Sequence, residues 1–444
     1  MGEKLNLWLE KPLFVYLFGL FFLVYKSSQY FQSFQFHIFI LFVFIYFTST
    51  GLGLFFLNKT LLSKYRYIIL IEGWFFFLYT NDIRILNQLY IALIIILALV
   101  IVIIKSIASK KLIFLSNKLL NFFFISITFF VLLNGVKTYN NELRHFEIMQ
   151  NEKTNLPITK YKHDIIWILL DEYAAPSTLR TQFHFKDWLV DSLEKRKFFV
   201  FDSLPSRYDG TILSLNSLFN LDDTITPSSN MYAAKYLNKS RWIQYLKVDG
   251  YTFNSFDFLT ISGSIGISNV SLYFFQNKYS LQILNNSFFF SAWYYLIEPK
   301  EKIIDGYNKI VAEKSLALLK SKKNAPQFTW IHLLIPHSPF YKDENGNINN
   351  NPVINPNRST HAEANKQYIN YLSYGNKIAL NLLTQIPDWE NKTIIISGDH
   401  GARMFLQNGD TRRFVTFAAI YFPKMDSTEL KQIKYLQQIP LHIH

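Results

Sequence analysis

The chain has 444 residues, of which 50% are hydrophobic and 18% aromatic, a formal net charge of +13, and no cysteine. So apolar a composition excludes an intrinsically disordered protein. The lack of cysteine excludes a disulfide scaffold, a cysteine-ligated metal or iron–sulfur site, and a cysteine nucleophile. Residues 1–136 carry 15 charged side chains, whereas the remaining 308 residues carry 62. This uneven distribution indicates a membrane segment followed by a soluble domain.

Five apolar runs in the first segment predict membrane-spanning helices, because a helix needs about 20 apolar residues to cross a bilayer. The runs are residues 12–25, 36–57, 67–79 with flanks, 89–104 and 112–136. The first run is short unless it extends through residues 27–31. If it does not span, four helices remain, and both ends of the segment lie on the same side of the membrane.

Basic residues in the short loops predict the orientation of the segment, since Lys and Arg are enriched on the cytoplasmic side. One side has only Lys26 and Arg84. The other side has nine: Lys4, Lys11, Lys59, Lys64, Arg66, Lys105, Lys110, Lys111 and Lys118. With five spans, everything after Val136 then lies outside the cytoplasm. We therefore predict a multi-pass inner-membrane protein with a transmembrane domain at 1–136, a juxtamembrane linker at 137–162 and an extracytoplasmic domain at 163–444.

Short apolar strands alternate with helices after residue 163. Predicted strands cover residues 165–170, 198–201, 328–334, 393–396 and 414–422, and predicted helices cover 177–196 and 361–386. Buried strands in this alternation favour an α/β fold whose mostly parallel sheet is covered on both faces. In such folds ligands bind beyond the carboxyl ends of the strands.

Two of these strand ends carry side chains that bind metals. One strand runs into Asp171-Glu172 and another into Ser-Gly-Asp399-His400-Gly401. Carboxylate oxygen and imidazole nitrogen together suit zinc or manganese, with calcium or magnesium as alternatives. The glycine after His400 would let the backbone turn sharply. The alternative explanation is structural, because strand ends often carry polar residues.

The pattern resembles the alkaline phosphatase superfamily: a strand ending in Asp171, a hydroxyl residue 40 positions later, and a strand ending in Asp399-His400-Gly401. Within it, the chain is most similar to sulfatase-like membrane enzymes, the lipoteichoic acid synthases and phosphoethanolamine transferases. The resemblance implies five spans, an αβα-sandwich catalytic domain, and a divalent metal held by Asp171, Asp399 and His400. Glu172 is then either a fourth ligand or an acid that supports the ligands without binding the metal itself.

The resemblance also implies a nucleophile, and two hydroxyls compete for that role. Thr211 opens a Thr-x-x-Ser-x-x-x-x-Phe run similar to the one around the transferases' threonine nucleophile. Ser203, in Ser-x-Pro-x-Arg, is similar to the signature that sulfatases convert to formylglycine, but it lies only 32 residues after Asp171. Thr211 is favoured. A purely structural role, with Thr211 at the start of a helix, stays open.

Three further residues are candidates for substrate binding. The segment from His332 to His337-Ser-Pro339 is similar to the His-x4-His-x-Pro segment of the same transferases, in which histidines contact the phosphoryl group or a second metal. His337 follows the predicted strand and is the better candidate, whereas His332 lies within it and is equally compatible with a structural core histidine. Arg403 is placed to bind a phosphate oxygen or to form an ion pair.

The predicted function is that of a membrane-anchored, metal-dependent phosphotransferase. It would move a phospho-head-group from a phospholipid donor to an envelope lipid or glycan acceptor through a covalent threonine intermediate. The alternatives are a sulfatase or phosphodiesterase of the same fold, and a non-catalytic protein that binds the envelope. The basic net charge favours contact with anionic lipids, and without a basic cluster we expect no binding to nucleic acid.

Overall fold

The computed structural model has two compact units, the described helices up to Asn151 and the described residues from Lys162 onward. The described residues are 10–29, 36–60, 63, 66–79, 110–151, 162–221, 236–237, 239–264, 300–321, 325–353, 356, 360–403, 409–423 and 427–443. The predicted span at 89–104 and the last part of the predicted linker lie outside them.

The first unit contains four described helices. They are α1 (Phe14–Gln29), α2 (Phe36–Asn58), α3 (Arg66–Tyr79) and α4 (Lys110–Asn151). Aromatic and aliphatic side chains of α1 pack against α4, where Phe18 and Phe124 meet edge to face. The 42-residue helix α4 continues through the first part of the predicted linker without a break.

Large apolar side chains also point away from this small core. Phe36 is 69% exposed and Phe122 is 67% exposed, and many others on α2 and α4 are similarly open. Residues 36–58 and 113–137 are long and apolar enough to cross a membrane. Helices α1 and α3, with 16 and 14 residues, are shorter than a full span. The described residues therefore support two of the five predicted spans.

The second unit is built on a six-stranded sheet with the order β2-β6-β5-β1-β4-β3. The strands are β1 (Ile165–Leu170), β2 (Phe199–Pro205), β3 (Thr252–Phe256), β4 (Gln327–Leu333), β5 (Thr393–Ser397) and β6 (Val415–Tyr421). β5, β1, β4 and β3 run parallel, whereas β6 pairs antiparallel with both β5 and β2. The predicted α/β fold is therefore present.

Helices cover both faces of the sheet. They are α5 (Pro176–Gln182), α6 (Trp188–Glu194), α7 (Thr211–Asn220), α8 (Arg241–Val248), α9 (Lys300–Leu319), α10 (His361–Gln385), α11 (Ser427–Leu430) and α12 (Ile439–His442). Alternate residues of β1 enter two separate cores: Ile166 and Ile168 pack towards α10, and Trp167 packs towards α7 and α8. Double coverage explains why β1 is buried at every position.

The single helix predicted at 177–196 is wrong, because the structure has two short helices there. His184 adopts a left-handed backbone with φ 51°, which a continuing right-handed helix cannot contain. Asp187 then caps α6 by accepting a hydrogen bond from the backbone N–H of Leu189. This break turns the Asp187 side chain into the interior, where it is only 4% exposed.

Candidate metal centre and nucleophile

The carboxyl end of β1 places two acids beside its neighbours β4 and β5. The backbone N–H of Asp171 still bonds to the carbonyl of Leu333 on β4, so this residue is held in the sheet. Glu172 follows with a left-handed φ of 64°. Tyr368 on α10 stabilises that turn, because its hydroxyl donates to the carbonyl of Glu172 and accepts from the N–H of Ala174.

The segment after β5 is packed too tightly for side chains at its two glycines. A Cβ at Gly398 would lie 2.3 Å from Thr416 Oγ1, and one at Gly401 would lie 2.4 Å from the carbonyl oxygen of Arg412. Gly401 is therefore required by this close approach rather than by the sharp turn that we expected. The packing holds Asp399 and His400 fully buried.

Three predicted metal ligands meet at this edge of the sheet. One ligand atom from each of Asp171, Asp399 and His400 lies within 4.8 Å of the others. His400 Nε2 is 3.3 Å from Asp399 Oδ2 and 4.0 Å from Asp171 Oδ1. Two tetrahedral zinc ligands with bonds of about 2.0–2.2 Å lie roughly 3.3–3.5 Å apart, so these separations are close to those of a metal site.

Two side-chain atoms of this group have no hydrogen-bond partner among the described residues. They are Asp399 Oδ2 and His400 Nε2, both buried. The other ring nitrogen, Nδ1 of His400, lies 2.8 Å from the carbonyl of Gly401 and donates to it, which leaves the Nε2 lone pair facing Asp399. Since buried polar atoms are nearly always satisfied, a bare carboxylate oxygen beside a bare imidazole nitrogen fits a divalent cation.

Thr211 is brought to the same place by α7, of which it is the first residue. Gly210 precedes the helix in an extended conformation, and Thr211 Oγ1 donates to Asp171 Oδ1 over 3.3 Å. Ser214, one turn later, donates to the carbonyl of Asp399 over 2.7 Å and ties the helix to the segment after β5. The hydroxyl of Thr211 therefore lies beside the candidate metal ligands.

Ser203, the rival nucleophile, is elsewhere in the fold. It lies within β2, the edge strand of the sheet, and its side chain is exposed. The irregular pairing between β2 and β6 falls at this point, between Phe201 and Leu204. The strand that was predicted to end at Phe201 therefore continues through Ser203 to Pro205.

The two candidate histidines differ in their surroundings. His332 is fully buried in β4, and its Nε2 lies 3.7 Å from Asp171 Oδ2. His337, in the loop after β4, is 31% exposed, and its Nε2 lies 3.7 Å from Glu172 Oε2. Glu172 thus has its carboxylate beside His337, while its backbone N–H donates to Asp399 Oδ1.

The electrostatics of the group follow from these short separations. Burial would raise the pKa of Asp171, but the charges of His337, His332 and His400 outweigh it and hold that pKa below its usual value. Burial would lower the pKa of His332, yet the charges of Asp257 and Asp171 raise it to about 10. The acids at this edge thus attract positive charge, whether from protons or from a cation.

Arg403 lies at the turn that precedes Thr211. Its Nη1 donates to the carbonyl of Asp209 over 2.7 Å and lies 3.3 Å from the position of a Cβ on Gly210. The side chain of Asp209 in turn forms an ion pair with Arg413, with 2.7 Å between Oδ2 and Nη2. Arg403 therefore supports the start of α7 through one nitrogen. Burial would lower the pKa of His337, but the charges of Asp171 and Glu172 raise that pKa above its usual value, against the smaller opposing charge of Arg403.

One polar residue of this region was missed by sequence reasoning. Asp257 directly follows β3, and its carboxylate contacts His332 Nδ1 at 3.0 Å. β3 was itself missed, because Thr252, Asn254 and Ser255 give it a polar composition. Residues 252–256 form neither an apolar run nor a strict alternation, so the sequence pattern carries no clear signal for this strand.

Comparison with protein families finds a match to part of the second unit. Residues 245–428, less than half of the chain, match the family model for Sulfatase. This segment therefore matches the sulfatase family, which is part of the alkaline phosphatase superfamily. The matched segment contains β3, β4, β5 and β6, together with Asp399, His400 and both candidate histidines. A search of curated protein sequences finds no match.

Solved structures with similarity to the chain share little sequence with it. The integral membrane protein lipooligosaccharide phosphoethanolamine transferase A from Neisseria meningitidis is 12% identical, with a TM-score of 0.40, over 95% of this chain and 92% of that one. The periplasmic domain of phosphoethanolamine transferase EptC from Campylobacter jejuni is 13% identical, with a TM-score of 0.39, over 64% and 88%. The putative sulfatase yidJ from Bacteroides fragilis is 13% identical, with a TM-score of 0.38, over 62% and 70%.

Proposed function

We propose that this protein is a membrane-anchored, metal-dependent phosphotransferase with Thr211 as its nucleophile. The observation that carries the proposal is the pair of unpartnered buried atoms, Asp399 Oδ2 and His400 Nε2, in the group that also contains Asp171. The hydroxyl of Thr211 lies within hydrogen-bond distance of that same Asp171. A cation ligand set next to a hydroxyl is the arrangement needed for covalent phosphoryl transfer.

Asp171, Asp399 and His400 would hold the cation, and Glu172 is proposed as a fourth ligand or as an acid behind the ligands. Zinc or manganese fits a mixed set of carboxylate and imidazole, and calcium or magnesium is the alternative. When bound, the cation would lower the pKa of a nearby hydroxyl and neutralise charge on a phosphoryl group. The three ligands belong to two adjacent parallel strands, so the sheet fixes their spacing.

Transfer would take place in two displacements at phosphorus. In the first, the Thr211 hydroxyl gives up its proton as Oγ1 forms a bond to the donor's phosphorus, the bond from phosphorus to the glycerol oxygen of the lipid breaks, and that oxygen takes up a proton. In the second, an acceptor hydroxyl loses its proton and attacks the same phosphorus, the bond from phosphorus to Thr211 Oγ1 breaks, and Oγ1 regains a proton. His337 and His332 are proposed to contact phosphoryl oxygens. Arg403, at the helix start, adds positive charge beside them.

The membrane helices would keep the catalytic domain beside its lipid donor. Because of the loop charges, we place that domain on the extracytoplasmic side of the inner membrane, with an envelope lipid or glycan as acceptor. A reporter enzyme fused directly after His163 tests this orientation. We expect activity from a reporter that works only outside the cytoplasm, and activity from a strictly cytoplasmic reporter would contradict the orientation.

A vesicle assay tests the reaction. The full chain is reconstituted with fluorescent phosphatidylethanolamine or phosphatidylglycerol, and fluorescent diacylglycerol is measured after chelation and after adding back zinc or manganese. We expect diacylglycerol from one donor, lost on chelation and restored by metal. Release of phosphatidic acid would contradict the proposed bond cleavage. If the phospho-head-group is released into water whichever acceptor is added, the protein is a hydrolase. If there is neither turnover nor bound metal, the protein is non-catalytic.

A further inference from the structure

Asp257 is a buried carboxylate with an unusual set of partners. Its side chain is fully buried between β3 and β4. Oδ1 accepts the backbone N–H of Leu259 over 2.7 Å, and Oδ2 accepts the indole N–H of Trp330 over 2.7 Å. Oδ2 also lies 3.0 Å from His332 Nδ1. The backbone of Leu259 and the indole of Trp330 are fixed N–H donors, so both oxygens act as acceptors, and we infer that Nδ1 of His332 carries a hydrogen.

This arrangement determines which way the ring of His332 faces. With Nδ1 directed at Asp257, the opposite nitrogen Nε2 is directed at Asp171, 3.7 Å from its Oδ2. Nε2 has no hydrogen-bond partner among the residues that the structure describes, although His332 is fully buried. A ring held firmly on one side and bare on the other is oriented for a ligand in the site.

Two further contacts position His332, one at its backbone and one at its ring. The carbonyl of His332 accepts a hydrogen bond from the hydroxyl of Tyr307 on α9, over 2.9 Å. The ring of Phe258, next to Asp257, lies against the imidazole with 5.3 Å between ring centroids. These contacts fix the backbone and one ring face, but only Asp257 among the described residues distinguishes one ring nitrogen from the other.

We propose that Asp257 is a positioning residue, which holds the Nδ1–H of His332 and thereby presents Nε2 to the phosphoryl group bound beside Asp171. The proposal rests on the proposed function for the identity of the ligand, but the orientation of the ring is a property of the chain itself. A carboxylate suits the task better than an amide. In an asparagine, one of the two acceptor oxygens becomes an NH2 group, which faces an N–H donor in either rotamer.

The test compares Asp257→Asn with Asp187→Ala, in the full chain in vesicles. Asp187 is the matched control because it is also a buried carboxylate that accepts the N–H of the residue two positions later, yet its side-chain partners are Tyr173 and Asn376 rather than a histidine. At a temperature where both variants are folded, we expect Asp257→Asn to reduce diacylglycerol release by about 10–100-fold, the usual effect of losing such an orienting partner. Asp187→Ala should stay within about twofold of the parent protein.

A double substitution shows whether Asp257 acts through His332. If it does, Asp257→Asn should cause almost no further loss in a protein that already carries His332→Gln, because the effects of residues in one network are not additive. A full additional 10–100-fold loss in the double variant would overturn the proposal. So would an equal loss of turnover in Asp187→Ala, which would attribute the effect to stability alone.

A measurement independent of turnover keeps the two proposals distinguishable. The chain is labelled with ¹⁵N in its histidine rings, and solid-state spectra of the vesicles are recorded with His332→Gln to assign the signals. We expect a protonated, hydrogen-bonded Nδ1 at His332 in the parent protein and the loss of that signal in Asp257→Asn. An unchanged Nδ1 signal would refute the positioning role, even in a protein that transfers no head group.

Discussion

Two buried polar clusters lie on the same domain, and they differ in how completely their atoms are paired. The first is the metal-centre cluster of Asp171, Asp399 and His400 at the carboxyl edge of the sheet. The second, which we term the Asp187 cluster, consists of Asp187, Tyr173 and Asn376 between α6 and α10. Tyr173 comes only two residues after Asp171, so the two clusters start from one turn of the chain.

Every polar side-chain atom of the Asp187 cluster lies within hydrogen-bond distance of another polar atom. The hydroxyl of Tyr173 is 2.7 Å from both Asp187 Oδ2 and Asn376 Oδ1, and Asp187 Oδ1 accepts from the amide of Asn376 and the backbone of Leu189. The metal-centre cluster instead leaves Asp399 Oδ2 and His400 Nε2 bare within the described part of the chain. An unpartnered buried polar group costs about 1–3 kcal/mol, so the paired cluster stabilises the fold and the bare one is built for a ligand.

The largest effect is expected at the nucleophile beside the metal-centre cluster. Thr211→Ala should reduce head-group transfer by about 10⁶-fold, the size of loss seen when a hydrolase loses its serine nucleophile. Thr211→Ser keeps a hydroxyl and should retain part of the activity. Metal content, measured by elemental analysis, should not change in either variant, since all three ligands remain. Full activity of Thr211→Ala would exclude this residue as nucleophile.

The metal ligands come next. Asp399→Ala and His400→Ala should each remove the bound metal and lower turnover by more than the roughly 10–100-fold typical of residues behind the ligands. Each substitution removes one hydrogen bond, that of Asp399 Oδ1 with the N–H of Glu172 or that of His400 Nδ1 with the carbonyl of Gly401, and this loss of about 1–3 kcal/mol should leave the fold intact. Elemental analysis and circular dichroism together measure both outcomes. Stoichiometric metal retained in both variants would mean that the metal is bound elsewhere.

In the Asp187 cluster, substitutions should change stability and leave turnover unaltered. Asp187→Ala should lower the free energy of unfolding by about 1–3 kcal/mol, because it leaves buried donors without an acceptor. Asp187→Asn should cost less, since Tyr173 still has Asn376 Oδ1 as acceptor at 2.7 Å. Denaturant unfolding at equilibrium measures both. A loss of metal binding in either variant would show that the two clusters are not separate.

The same residue predicts a pH dependence. Burial raises the pKa of Asp187 in the folded state above its ordinary value of 3.8. Its contribution to stability is therefore full below pH 3.8 and declines as the pH rises through the raised folded value. The difference in unfolding free energy between the parent protein and Asp187→Asn should shrink over that interval. A difference that grows as the pH rises would contradict the assignment.

The smallest effect is expected at Ser203, which belongs to neither cluster. Its side chain is exposed on the edge strand β2. Ser203→Ala should change the free energy of unfolding by about 0.5 kcal/mol or less, as surface substitutions usually do. Turnover should be unchanged. A large loss of activity in this variant, together with formylglycine at position 203, would favour a sulfatase.

Much of the sheet could be predicted because strands that are buried on both faces consist of continuous apolar runs in the sequence. β1 has the predicted bounds, β4 is shifted from its prediction by one residue at each end, and β5 is one residue longer than predicted. The same runs locate Asp171 and Asp399, since each acid is the first charged residue after its strand. Strand ends were therefore the most predictable part of the candidate site.

The remainder depended on contacts between distant parts of the chain. β3 is half-buried and polar, so no apolar run indicates it, and Asp257 was missed with it. The bend at His184 that turns Asp187 inward follows from a single left-handed residue. The role of Gly401 was predicted as a turn, because only the folded chain shows how closely Arg412 approaches it.

The most direct test of the account is the identity of the residue that becomes covalently modified. The full chain in vesicles is incubated with the donor lipid in the absence of an acceptor, quenched in acid, digested and analysed by peptide mass spectrometry. We expect a phospho-head-group on the peptide containing Thr211, absent from Thr211→Ala and from metal-depleted protein. An adduct on any other peptide would contradict the account. So would formylglycine at position 203 combined with full activity of the Thr211→Ala variant.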